Sequence, residues 1–205
     1  MANINNAFTA PQGISLDDVV GIFHSTVDPT IAGESAPVGS LLLSTNGNVY
    51  RKVSAGDTGW VAIDNEYPIY YHNGAVTQTF SAATTLLFPT ALLSNANYTY
   101  SAGSVVVINA GIYEICFDAS YTISSNNRTI SSTETRVNGV AVGGSKAFGN
   151  HGNNVEGQQT ATSKVRLPLA ANDVVTIVGV RLTGTANLIT VANGCRLNIK
   201  RCYAG

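Results

Sequence analysis

The segment Gly111-Ile-Tyr-Glu-Ile-Cys-Phe-Asp-Ala-Ser-Tyr-Thr-Ile123 constrains the fold more than any other part of the chain. Read two residues at a time, it sets Tyr113, Ile115, Phe117, Ala119, Tyr121 and Ile123 on one face and Ile112, Glu114, Cys116, Asp118, Ser120 and Thr122 on the other. That alternation predicts a long strand with one face in the core. Such a strand requires several partners, because an isolated hairpin is marginal in water. Candidates follow at Ser104–Asn109, Arg128–Val137, Val140–Val142, Thr160–Leu169, Val174–Thr183, Asn187–Val191 and Cys195–Cys202. No ten-residue helical pattern interrupts them, so the expected class is all-β, with a sandwich over residues 98–205.

One of these strands is apolar on both sides. In Val174–Thr183, Val175 and Ile177 occupy one face while Val174, Val178, Val180 and Leu182 occupy the other. A sandwich strand in a monomer has one wet face, and contiguous exposed apolar surface is unusual on a soluble monomer. The pattern therefore predicts a homotrimer closed about a three-fold axis, with those four residues at the interface.

Upstream, residues 36–64 read as a small β-meander. Ser40–Ser44, Asn48–Val53 and Trp60–Ile63 form three short strands around an Asn46-Gly47 hairpin turn and a second turn at Gly56–Gly59. Leu41, Leu43, Val49 or Tyr50, and Trp60 are the expected buried residues, too few for an independent core. Residues 65–97 have a looser pattern and are expected as a linking or extended segment, with short extended pieces at 67–71 and 77–80 and Leu86-Leu-Phe88 opening the core of the sandwich. Residues 1–35 are polar except near Ser15-Leu-Asp-Asp18, which resembles a capping box; Leu16, Val19, Val20 and Phe23 then fall at i, i+3, i+4 and i+7. The expectation is a two-turn amphipathic helix. It either covers the end of the next module or forms an arm that orders on a larger partner, since so short a helix is unstable alone.

The segment from Pro37 to Ile63 resembles one that recurs in virion and fibre proteins of tailed bacteriophages. Its elements are a Pro-x-Gly-Ser start at Pro37, Gly39 and Ser40, an Asn46-Gly47 turn, Tyr50 and Lys52 on a strand, and a Gly56-to-Trp60 close. The C-terminal region is similar to the C1q/TNF-like jelly roll, a trimer-forming fold also used at phage fibre tips. The matching pieces are Val105–Ile115 with its Gly-Ile-Tyr, Val137-Asn-Gly-Val140, Leu169–Val175 and Arg196–Ile199, with Asn172 where Gly is usual. The resemblance implies a homotrimeric structural virion protein, a head fibre or capsid decoration. Its N-terminal arm would anchor to capsid or other virion proteins through Leu16, Val19, Val20 and Phe23. The alternative is a tail-fibre or receptor-binding adhesin tip that recognises host surface glycan.

Charge and motif spacing exclude other functions. Charged residues make up 11% of the chain, and eleven Lys and Arg against twelve Asp and Glu leave a net charge of −1 with no basic block. That predicts neither nucleic-acid binding nor attraction to anionic membranes. With no run of about 18 apolar residues and no signal-like start, membrane insertion is not expected, and the implied location is the virion, after synthesis in the host cytoplasm. His24, His72 and His151 lie in no zinc motif, and the three cysteines, Cys116, Cys195 and Cys202, read as packed thiols. Glu114 and Asp118 share a face about 13 Å apart by the strand rise, too far for a catalytic carboxylate pair, so hydrogen bonding is their expected role. No enzyme activity, metal or cofactor is expected. Gly143–Asn154 reverses the order that a phosphate loop requires; it reads as a mobile tip or as a receptor-reading loop in which Phe148, Asn150, His151, Asn153 and Asn154 meet a sugar.

Overall fold

In the computed structural model, residues 14–16, 20–26, 28–45, 49–63 and 68–204 are described. The chain divides into two compact units at Asn65/Glu66. No helix among the described residues is long and apolar enough to cross a membrane.

The first unit is a five-stranded sheet in chain order: β1 (Ile14–Leu16), β2 (Val20–Ser25), β3 (Leu41–Ser44), β4 (Val49–Lys52) and β5 (Trp60–Ile63). Strands β2 and β3 run parallel and the other neighbours antiparallel. The expected helix is therefore replaced by two strands: Leu16 lies in β1, Val20 and Phe23 lie in β2, and Val19 falls outside the described residues. Over so short a stretch the helical spacing competes with an alternation that buries Gly21 and Ser25, and the hydrogen bonds offered by β3 decide for the strand. The buried cluster is Leu42, Tyr50 and Trp60, with Phe23 and Ala36 packed on it. Leu42 is fully buried while Leu43 is exposed, so the inward Leu is the middle one of the three.

The second unit is a jelly-roll sandwich. Its first strands are β6 (Ile69–His72), β7 (Thr79–Phe80), β8 (Thr84–Thr85), β9 (Thr90–Leu93), β10 (Tyr98–Ser101) and β11 (Ser104–Val107). Then come β12 (Gly111–Ile123), β13 (Thr129–Val137), β14 (Val140–Ala141) and β15 (Ala147–His151). The chain closes with β16 (Gln159–Leu169), β17 (Val174–Thr183), β18 (Leu188–Thr190) and β19 (Arg196–Ala204). One sheet carries the order β9-β6-β19-β12, with β16 also on β12 and the β7–β18 pair extending it. The other runs β10-β11-β17-β13-β14, with β15 on β13 and β8 on β17. Neighbours such as β6 and β19, or β11 and β17, are distant in sequence, because the chain crosses repeatedly between the layers.

The core lies between the sheets. Tyr113, Ile115, Phe117, Ala119, Tyr121 and Ile123 of β12 are all buried against Val105, Val107, Val175, Ile177, Leu197 and Ile199. Residues 65–97, expected as a linking or extended segment with Leu86-Leu-Phe88 opening the core, contribute β6 to β9, and Ile69, Phe80, Leu86 and Phe88 join this core. Their strands are too short for alternation to show. Gly179 allows close approach at the centre: a Cβ there would meet the Tyr121 hydroxyl at 2.6 Å and the Phe80 ring at 2.9 Å.

Candidate interaction surfaces

The outward face of the β12 sheet is where charge collects. Direct register opposes Glu114 to Arg166, Cys116 to Lys164 and Asp118 to Thr162 across β12 and β16. Glu114 accepts from Lys164 Nζ at 2.8 Å and from two nitrogens of Arg166 at 2.7 Å. These two cations hold its carboxyl below the usual range. Asp118 accepts from Thr162 Oγ1 at 2.5 Å and pairs with Arg196 of β19; Asp118 and Tyr70 together raise the Arg196 guanidinium above its usual value. Tyr70, Cys116, Asp118, Lys164, Arg196 and Asn198 line an open pocket of about 300 Å³. Burial, reinforced by the Glu114 charge, pushes the Cys116 thiol up, which keeps it protonated and a poor nucleophile. Both carboxylates are thus committed to ion pairs, consistent with the hydrogen-bonding role expected of them.

On the outward face of the other sheet, Glu134 is held by Arg136 at 2.8 Å and Lys146 at 3.0 Å. Burial opposes its ionisation, and the two cations outweigh it, leaving the carboxyl below its ordinary value. The four residues expected at a subunit interface share this face unevenly. Val178 is only 6% exposed, covered within a single subunit, so it has nothing left to hide in a partner. Val174 and Val180 are half-buried, and Leu182 is exposed.

The expected receptor loop is partly a strand. Ala147–His151 forms β15, with Phe148 opposite Ser132 and His151 opposite Thr129 of β13. Phe148 is 62% exposed and Asn150, on the same face, is exposed too. His151 points the other way and is buried: its Nε2 lies 3.0 Å from Ser131 Oγ and its ring meets the edge of Tyr121. It is not available to a ligand, because the pleat sends alternate residues of β15 to opposite faces. Asn153 and Asn154 are exposed in the following turn, where the Asn154 side chain accepts from the Glu156 N–H at 2.9 Å.

In the first unit, Phe23 packs its ring edge-on to Trp60 at 6.4 Å and Val20 is half-buried. Phe23 is therefore part of the unit's own small core rather than a free anchor. A feature that sequence reading missed is Lys52, 1% exposed. Its ammonium donates to the carbonyls of Glu34, Gly56 and Asp57 at 3.0, 2.5 and 3.1 Å, and Trp60 Nε1 donates to the same Glu34 carbonyl at 2.8 Å. Among the described residues no group of three or more His, Cys, Asp and Glu could hold a metal ion.

No protein-family model matches the chain, and no curated protein sequence matches it. Solved structures do. Murine APRIL is similar over 65% of this chain and 97% of its own, with TM-score 0.48 and 13% identity. Eiger TNF from S. frugiperda covers 67% and 93%, with TM-score 0.48 and 12% identity. The globular domain of the zebrafish complement 1qA protein covers 67% and 98%, with TM-score 0.48 and 15% identity.

Proposed function

We propose that this chain is a homotrimeric structural protein of a bacteriophage virion, a head fibre or capsid decoration that projects its jelly roll outward, and that it is not an enzyme. The observation that carries the reading is the segment Pro37–Ile63. The residues that make it resemble phage fibre segments, among them Ser40, Tyr50, Lys52, Gly56 and Trp60, supply buried side chains and the Gly56 carbonyl of a compact unit ahead of a jelly roll. Such an arrangement suits a short connector carrying a head. Because β1 and β2 belong to that unit, attachment to the capsid falls in this reading to the residues ahead of Ile14.

The test is a deletion of residues 2–13. The expected result is a folded species of about 64 kDa, three times the 21.4 kDa of the chain, that no longer attaches to particles. A monomer that still attaches would overturn the reading. A second reading, a receptor-binding tip, draws on Phe148 and Asn150 exposed side by side on β15, an aromatic and an amide of the kind that sugars accept. Saturable binding to host cells, abolished by Phe148→Ala, would favour it over the first.

A further inference from the structure

The sheet of the first unit has two faces, and only one is closed. Phe23, Leu42, Tyr50 and Trp60 occupy the core side. Register places two cross-strand rows on the other side: Ile22, Leu41, Arg51 and Val61 in one, His24, Leu43, Val49 and Ile63 in the next. Six of these eight positions are aliphatic. Ile22, Leu43 and Ile63 are 43%, 46% and 44% exposed, and Leu41, Val49 and Val61 are half-buried. The two rows form an apolar face broken by Arg51, whose stem can lie along it while its head reaches the rim, and by the exposed His24 at the β2 end of its row.

We propose that this face packs against the same face of other copies of this chain. The inference rests on the homotrimer reading above. Three arguments favour a copy over a different partner. The covered side buries only three hydrophobic residues, Leu42, Tyr50 and Trp60, and units with so small a core require a staple, a metal or association. None of the three cysteines falls in the first 65 residues, and the described residues offer no metal-binding group, which leaves association. The face is mostly aliphatic and has no aromatic anchor, and interfaces between copies are more apolar than those of non-obligate complexes. Finally, eight positions at about 4.8 Å between strands and about 6.8 Å between alternate residues span about 260 Å² per copy, against about 800 Å² per partner in a stable complex. So small a face holds only where copies are already brought together, which the second unit would do by raising the effective concentration.

The experiment uses the full chain with Cys116→Ser and Cys202→Ser, carrying Leu43→Cys or Ile63→Cys on the face, or Ile31→Cys, 81% exposed and outside the strands, as reference. Solution mass, maleimide labelling rate and chain-to-chain linking by a short bis-maleimide are measured together. The expected result is an oligomer in which the thiols at 43 and 63 label at least tenfold more slowly than the one at 31 and are linked between chains. An oligomer that labels equally fast at all three positions overturns this inference and leaves the homotrimer standing. Slow labelling without linking between chains also overturns it, because the cover then comes from the same chain. A monomeric mass overturns both.

Discussion

The ammonium of Lys52 sits 4.9 Å from the centroid of the Trp60 ring while its three hydrogens are directed at backbone carbonyls. A buried lysine is costly unless every donor is satisfied. Here Glu34, Gly56 and Asp57 satisfy them and the indole supplies a cation–π contact.

Lys52→Met keeps the apolar stem and removes the charge, leaving the carbonyls without that donor. The first unit should lose about 1–3 kcal/mol of stability, the range for an orphaned buried group. Trp60 is the only tryptophan, so the shift is read directly in the denaturation midpoint of its fluorescence. An unchanged midpoint would mean that the cage contributes nothing.

Gly179→Ala tests the closest approach in the sandwich. The added methyl would overlap the Tyr121 hydroxyl and the Phe80 ring, which meet edge-on at 5.8 Å. Overpacking of this kind costs about 1–3 kcal/mol. Thermal unfolding of the second unit, followed by tyrosine near-UV circular dichroism, should move down accordingly.

Two hydroxyl and carboxylate replacements should differ in size. Tyr121 Oη and Thr133 Oγ1 lie 2.6 Å apart in the core, and Tyr121→Phe orphans the threonine at a cost of about 1–2 kcal/mol. Glu114→Gln loosens ion pairs on an open face, where such pairs contribute about 0–1 kcal/mol and weaken with salt. Urea titrations of both variants at low and high ionic strength check the contrast.

Burial lowers the affinity of His151 for protons below that of an unfolded histidine, whose value is 6.5. The unfolded chain therefore binds the extra proton first. The stability linked to His151 is complete above pH 6.5 and is lost as pH falls from there through the depressed folded value. Between pH 7.5 and 5 the melting temperature of the parent should fall, and that of His151→Gln should fall less. Equal slopes would remove His151 as the cause.

The sandwich was legible where one strand spans many residues. The alternation of β12 needs no partner to be read, and its six inward side chains are all at or below 1% exposure. Short pieces were not legible, because their identity is set by the strand they join. Leu41-Leu-Leu43 offers no parity by itself, and only pairing with β4 selects Leu42 for the core. Residues 147–151 are rich in Gly and Asn neighbours and read as a loop, yet pairing with β13 makes them a strand and turns His151 inward. The charged face on β12 and β16 was half visible. Glu114 and Asp118 could be assigned to one side, but Lys164, Arg166 and Arg196 reach them only through a register that no local pattern encodes.

The cage around Lys52 draws every carbonyl from within a short span of the same polypeptide, between Glu34 and Asp57. Its instructions therefore travel with that segment of the first unit. One ammonium thus ties the Glu34 carbonyl and the Gly56–Asp57 turn to a single strand, a closure drawn wholly from residues of the first unit.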